Sequence, residues 1–322
     1  VTTRLRLVVF DGLDAPWCKA HPDVVAPLWD MAAEGCSAVL RSCSSPITPM
    51  GAAAVLTGRE IDVSWTRSPS GDAYASAQDL IRARPWVVDL DRAGLKLGMC
   101  NVPLTWPAFR LPGLRWMTSG YPVQQGAKHY QPRGLDMLGY PIGPLSDCGG
   151  VTLARNLQQQ CHVDSEIVRW FLTRPERCDV EIIWLMLADA AAHRSWDSEA
   201  YTEAVRTACA FIPRLREGAD NVVVLSDHGA DGLYTERCEP YMVSDHGPAA
   251  VSMGLVGGHT MDGVLVAAGD DIHAAGELPE QRLVEVAAGV FDVLGLRRPA
   301  GMVAAAPAWA AVHETNYIEV TE

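Results

Sequence analysis

Apolar residues in this chain gather into short runs that end on carboxylates or imidazoles. Leu7 to Phe10 stops at Asp11, Ile182 to Leu187 is followed by Asp189 and His193, and Val222 to Leu225 leads through Ser226 into Asp227-His228. Runs of four to six apolar residues rich in Val and Ile read as strands buried on both faces, as in a parallel sheet. Polar residues at their exits then collect at one carboxyl edge, where open α/β sheets bind ligands. Leu95 to Cys100 and Val264 to Ala268 read as further strands. Between them lie helical segments: Pro27 to Glu34, closed by Gly35, Pro49 to Thr57, Ala75 towards Leu90, Ser165 to Thr173, Ser198 to Arg216 and Gln281 to Leu294. From Pro103 to about Gly150 no period appears, and Pro, Gly, Tyr and Trp are frequent. A long loop of this kind reads as an excursion over the ligand-binding edge. The alternation predicts an α/β fold, doubly wound, with a mostly parallel central sheet and helices on both faces. One domain over 1–322 with a small irregular cap at about 103–165 is the simplest organisation.

Composition narrows the partners. With 322 residues, 48% of them hydrophobic, the chain can bury a full core. A net charge of −13 disfavours a nucleic acid polymer, since that affinity depends on Lys and Arg. No run approaches the roughly 18 apolar residues of a membrane span. The nine cysteines are scattered without a Cys-x-x-Cys pair, which fits reduced thiols and a cytoplasmic protein. Three lysines against many arginines and alanines suggest a GC-rich, bacterial genome.

Candidate chemistry sits at the strand exits. Thr48-Pro49 opens a small-residue helix, so the Thr48 hydroxyl is expected at the N-cap, where free N–H groups and the helix dipole favour a phosphoryl group. Asp189 and His193 share a face if their segment turns helically, and one face can then offer an oxygen and a nitrogen to one metal. Asp227-His228-Gly229 adds two donors where a buried strand stops, and His259 in Gly257-Gly258-His259 would complete the set.

Taken together, these segments resemble the alkaline phosphatase superfamily, and most closely its type I phosphodiesterase/nucleotide pyrophosphatase branch. The motifs are Asp11-Gly12, Thr48 with Thr57-Gly58, Asp189 to His193 before Trp196, Ser226-Asp227-His228-Gly229, and Gly257-Gly258-His259 with Gly263. Asn101 to Pro107, Ser119 to Pro122 and Gly295 to Met302 extend the similarity over nearly the whole chain. The resemblance implies two divalent ions, with Zn²⁺ expected and Mn or Fe possible: Asp189, His193 and His259 on one, and Asp11, Asp227 and His228 on the other beside Thr48. It implies that Thr48 attacks phosphorus and forms a phospho-enzyme that water releases. Two such ions ~4 Å apart can activate the nucleophile and stabilise the leaving oxygen. The implied substrate is a small phosphorylated molecule carrying a phosphoester or phosphoanhydride bond.

The pattern also departs from the family. Pro49 follows the nucleophile at once, and Arg59 to Val63 replaces a Pro-x-x-His-Gly stretch together with the Asn that binds a phosphoryl oxygen. Asn101 is the nearest substitute in type, with a turn before Pro103 as its other reading. A second Ser244-Asp245-His246-Gly247, without a Val-rich strand before it, reads as a decoy whose His246 could otherwise compete with His259. A phosphomonoesterase or phosphonate hydrolase on the same scaffold stays open, as do phosphoryl transfer to an alcohol and a catalytically inactive homologue that only binds ligand. Cys43-Ser44-Ser45-Pro46 lacks the sulfatase pattern, and Asp11-Gly12-Leu13-Asp14 lacks the dinucleotide-binding Gly-x-Gly-x-x-Gly turn. Substrate identity and oligomeric state are not encoded in these motifs.

Overall fold

The computed structural model describes residues 3–59, 73–120, 130–132, 135–138, 140, 153–238, 254–303 and 307–311. The first third of the chain forms β1 (Thr3–Phe10), α1 (Ala15–Ala20), α2 (Ala26–Glu34), β2 (Cys36–Arg41), α3 (Thr48–Thr57), α4 (Ala73–Ala83) and α5 (Val87–Arg92). The middle gives β3 (Leu97–Val102), β4 (Leu114–Ser119), β5 (Tyr130–Gln131), α6 (Leu153–Leu172), β6 (Val180–Leu185), α7 (Leu187–Ser195), α8 (Glu199–Cys209) and α9 (Ile212–Arg216). The last part forms β7 (Ala219–Leu225), β8 (Gly229–Gly232), β9 (Gly257–Thr260), β10 (Asp262–Gly269), β11 (Gly276–Glu277), β12 (Gln281–Arg282) and α10 (Val286–Leu294).

Among the described residues these strands build one ten-stranded sheet in the order β11-β2-β10-β7-β1-β6-β3-β4-β5, with β12 also on β2, and a separate β8-β9 ribbon. The centre, from β7 to β4, is parallel, and β10 is antiparallel to both its neighbours. This is the expected α/β architecture. Alternation along β1 divides the core in two. Leu5, Leu7 and Val9 face a layer containing α3, α5 and α10, and Val8 and Phe10 face one containing α2, α6, α7 and α8. Arg6, fully buried on the second side, reaches the neighbouring strand and donates to Glu181 Oε2 from Nε at 2.9 Å and from Nη2 at 2.6 Å.

Register places the site. Phe10 pairs with Leu185 and Val9 with Leu225, so β1, β6 and β7 end level at one edge. Asp11, the start of α7 and Asp227 therefore emerge side by side.

Several predicted boundaries move, each for a local reason. The helix expected from Ala75 to Leu90 is two, α4 and α5, because Pro85 cannot continue the hydrogen-bond ladder. Pro213 likewise sits at the start of α9 and separates it from α8. The helix expected from Gln281 begins only at Val286, after β12 and a 3₁₀ turn at Leu283–Glu285. α6 starts at Leu153, well before Ser165, and its inward face includes the polar Gln160 and Asp164, which interrupt the apolar period. β4 lies inside the stretch expected to be irregular, with Trp116, Met117, Thr118 and Ser119 all buried. Of the rest of the expected cap, 153–165 belong to α6, and 121–129, 133–134, 139 and 141–152 lie outside the described residues.

Candidate metal centre and nucleophile

Each strand exit is shaped to bring its side chains inward. After β1 the chain turns at Gly12 with φ +69°, and a Cβ there would lie 2.9 Å from Asp189 Cα, so only glycine lets α7 approach this closely. Asp11 is fully buried, and Trp184 Nε1 donates to its Oδ2 at 2.8 Å. On the next strand exit, α7 carries Asp189 in its first turn and His193 one turn later on the same face. Its amino end is held from α6: Asp164 Oδ2 accepts from Met186 N at 3.0 Å and Leu187 N at 2.8 Å. After β7, Ser226 Oγ accepts from Leu13 N at 2.8 Å and donates to the His228 carbonyl at 2.6 Å, which ties two exits together. His259 arrives on the ribbon, where it pairs with Ala230.

The result is a compact cluster. Asp189 Oδ1 lies 3.4 Å from His193 Nε2 and 3.3 Å from His259 Nε2, and the two Nε2 atoms are 2.9 Å apart. His228 Nε2 lies 3.2 Å from Asp11 Oδ1 and 3.6 Å from Asp227 Oδ2, and its ring stacks on that of His259 at 3.9 Å. Thr48 Oγ1 donates to Asp11 Oδ1 at 3.2 Å. Six donors and the hydroxyl singled out in the sequence thus meet at one edge.

The rings are oriented by backbone. His193 Nδ1 faces the Gly257 carbonyl at 3.0 Å and His228 Nδ1 the Gly229 carbonyl at 2.9 Å. An N–H donated there leaves each Nε2 lone pair directed at the cluster, the tautomer that suits a metal ligand. Meanwhile Asp189 Oδ1 and both oxygens of Asp227 are buried without a hydrogen-bond donor. Buried carboxylates in that state are costly unless a cation meets them.

The charged groups of the cluster also act strongly on one another, and in the absence of a cation His228 takes the positive charge. Burial raises the Asp11 carboxyl above its ordinary value, and burial together with the charge of Asp11 pushes Asp227 well up. Burial also opposes the charge of Asp189, but His193 and His259 outweigh it and hold that carboxyl low. For His228 burial is overcome by Asp227 and Asp11, which push it up to about 10, while burial and the charge of His228 hold His259 down to about 3. Asp189, His193 and His259 could hold one ion, since each offers a ligand atom within 4.8 Å of the others. The second trio with that spacing is Asp11, Asp189 and His228, so Asp189 borders both positions, with Asp227 alongside.

One expectation is corrected in detail, and of the two readings of Asn101 its contacts fit the turn. α3 begins at Thr48 with Ile47 as its N-cap, so Thr48 is the first helical residue and its hydroxyl turns to Asp11 instead of capping. Asn101 adopts φ 56°, and its Nδ2 donates to the Trp184 carbonyl at 2.9 Å, which is the arrangement of a turn at the end of β3. Ser244 to Gly247, with His246, lies outside the described residues.

Sequence reasoning missed the residues that brace the cluster: Trp184, Asp164, Ser226 and Gly51. A Cβ on Gly51 would meet Asp227 Cβ at 2.7 Å, so α3 must be bare there for the carboxylate to fit. The small-residue run Gly51 to Ala54 was the available signal.

Similar structures share this architecture. Murine ectonucleotide pyrophosphatase/phosphodiesterase 5, in an inactive form in complex with AMP, superposes with a TM-score of 0.54 at 12% identity, covering 92% of this chain and 96% of that one. The human ectonucleotide pyrophosphatase/phosphodiesterase 5 gives 0.56 at 12% identity with the same coverage. At that identity the likeness establishes the fold. A search of curated proteins found no match to the sequence. The family model for Type I phosphodiesterase / nucleotide pyrophosphatase matches residues 5–295, and the chain belongs to that family.

Proposed function

We propose that this protein is a two-metal-dependent hydrolase of a phosphoester or phosphoanhydride bond in a small molecule such as a nucleotide derivative, working through a phospho-Thr48 intermediate. The observation that carries the reading is the half-buried Thr48 hydroxyl, 3.2 Å from Asp11 Oδ1 and beside buried carboxylates that have no donor. Two divalent ions, one held by Asp189, His193 and His259 and the other by Asp11, Asp227 and His228 with Thr48, would supply Lewis-acid stabilisation of phosphoryl charge. Zn²⁺ suits the mixed nitrogen and oxygen donors, and Mn or Fe also accept them.

The chain's own residues set the geometry. Trp184 pins one oxygen of Asp11, so the other is fixed to receive the Thr48 proton. The positive end of α3 lies at the same point and favours an incoming phosphate. Attack by Thr48 Oγ1 forms a P–O bond as the bond to the leaving alkoxide or phosphate breaks; water then cleaves the phospho-threonine and restores the hydroxyl. Support also comes from the family match and from the fold shared with a phosphodiesterase solved with AMP.

The test pairs metal analysis with hydrolysis of an aryl phosphodiester and an aryl phosphomonoester. Co-purified divalent metal and a turnover of the diester that Thr48→Ala abolishes, with metal retained, is the expected result. Preference for the monoester would move the activity to a phosphatase, and a folded protein with neither metal nor turnover would refute the proposal.

A further inference from the structure

At the other end of α3 from Thr48 lies a second cavity, of about 850 Å³. A ten-residue helix spans ~15 Å, so the cavity is remote from the nucleophile. Its walls come from the ends of α3 and α4, from α5, and from the segment after α10. Among the described residues they carry six guanidinium groups, those of Arg59, Arg82, Arg84, Arg92, Arg297 and Arg298, against one carboxylate, Asp89. In a chain with a net charge of −13 this concentration of cations stands apart.

Two of the six are offset nearby. Arg298 binds the buried Asp292 through Nε at 3.0 Å and Nη2 at 2.5 Å, and Arg92 lies 3.5 Å from Asp89. By contrast, Arg59 donates to the Ala300 carbonyl at 3.0 Å and Arg82 to the Pro107 carbonyl at 3.0 Å. Neutral carbonyls fix those guanidiniums in place without neutralising them. The side chain of Arg84, exposed at the rim, makes no hydrogen bond or ion pair among the described residues, and its charge, like those of Arg92 and Arg59, acts on Asp89. Among the described residues, Arg59, Arg82, Arg84 and Arg92 thus share a single carboxylate, an excess of three positive charges. The carbonyl end of α3 contributes only ~0.5 of a negative charge.

The wall behind them is rigid. Trp86 is buried and its Nε1 donates to the Val55 carbonyl at 2.6 Å, which locks the start of α5 onto α3. Like charges gathered on a fixed frame repel one another, and a ligand that neutralises them recovers that energy. The guanidinium fork matches phosphate oxygens bidentately. The volume exceeds that of a lone phosphate and lies within the ~300–1,000 Å³ of small-molecule sites.

We infer that this cavity binds a small, multiply charged phosphate compound, such as pyrophosphate or the polyphosphate tail of a nucleotide, at a site separate from the catalytic edge. The inference is independent of the proposed hydrolase activity. Its test is calorimetric titration of sodium pyrophosphate into the full chain, into an Arg82→Glu/Arg84→Glu variant, and into Asp189→Asn. Both arginines are exposed, so the double variant keeps its fold, and its urea-unfolding midpoint serves as the check. Binding that weakens by about tenfold or more in the arginine variant, with the midpoint unchanged, and that persists in Asp189→Asn is expected. Equal affinity in the arginine variant, or loss of binding in Asp189→Asn, would overturn the assignment.

Discussion

Replacing Gly51 by alanine tests how tightly the helix that carries Thr48 and the Asp227 carboxylate are fitted. In an ordinary helix Gly→Ala stabilises by ~1 kcal/mol. Here the new Cβ would stand 2.7 Å from Asp227 Cβ and 2.8 Å from its Oδ2. Carbon atoms pack at ~3.5–4.0 Å, so a gap of ~0.8 Å or more has to open. α3 cannot retreat, because every residue from Pro49 to Thr57 is buried, and Asp227 is itself fully buried. The strain falls on the Asp227 side chain and on the start of α3, where Thr48 sits. Overpacking of this kind costs ~1–3 kcal/mol, which turns the expected gain into a net loss of up to ~2 kcal/mol. A displacement of ~1 Å at a catalytic constellation lowers the rate by about 10²-fold. Urea unfolding and kcat/KM on an aryl phosphodiester measure both effects. A Gly51→Ala protein that is more stable and equally active would refute the packing argument.

Asp189→Asn removes the carboxylate that borders both candidate ion positions, so bound divalent metal after dialysis should fall to background; retention of both ions would show that the two trios do not share it. Asp164, buried on α6, is pushed up to about 7 by desolvation, against donation from Leu187, Gln160 and Met186. Its folded value lies above the unfolded one of about 3.9, so the native state binds the extra proton and the contribution to stability is full below about pH 4 and lost as pH rises through about 7. Urea midpoints should accordingly decline across that window and decline less in Asp164→Asn; parallel pH profiles would contradict it. Arg6→Met leaves Glu181 charged in the core and should cost ~3–5 kcal/mol, whereas Arg6→Met with Glu181→Leu should recover most of that loss. Equal destabilisation in the single and double variants would show that packing rather than charge dominates.

The parts of this molecule that were readable from sequence are those governed by short-range patterns. β1, β6 and β7 end on the apolar runs Leu7 to Phe10, Ile182 to Leu185 and Val222 to Leu225, and their level register follows from pairing in a parallel sheet, so Asp11, Asp189 and Asp227 meet as expected. The Asp189 to His193 spacing needs only one helical turn to become a shared face. β4 was hidden because Arg115, Thr118 and Ser119 break the apolar run although five of its residues are buried. α6 was seen only in its second half, since Gln160 and Asp164 stand where an apolar stripe would be. Their burial makes sense only once Asp164 is seen to receive the N–H groups at the start of α7, a contact between residues 22 and 23 positions apart. Trp184 looks like strand core until its indole N–H is found on Asp11, a residue 173 positions away. Bracing contacts of this kind carry no local signature, whereas ligand-type residues at strand exits do.

The division between satisfied and unsatisfied polar groups follows a physical logic. Ser226 is buried between the Leu13 N–H and the His228 carbonyl, Asp164 accepts from Met186 N, Leu187 N and Gln160 Nε2, and Asp14, also buried, accepts from Trp17 N, Thr260 Oγ1 and Arg237. These residues hold the strand exits in place and keep their acceptors occupied. At the same edge, the fully buried Asp227 and the buried Oδ1 of Asp189 are left without donors and face imidazoles, two of which, His193 and His228, turn their Nδ1 to backbone carbonyls. A fold able to satisfy Asp164 and Ser226 so fully is not short of donors at this edge. The donors are withheld from one small volume, and a cation is the partner that would make burying three carboxylates there favourable, so metal loading should stabilise the fold as well as support turnover.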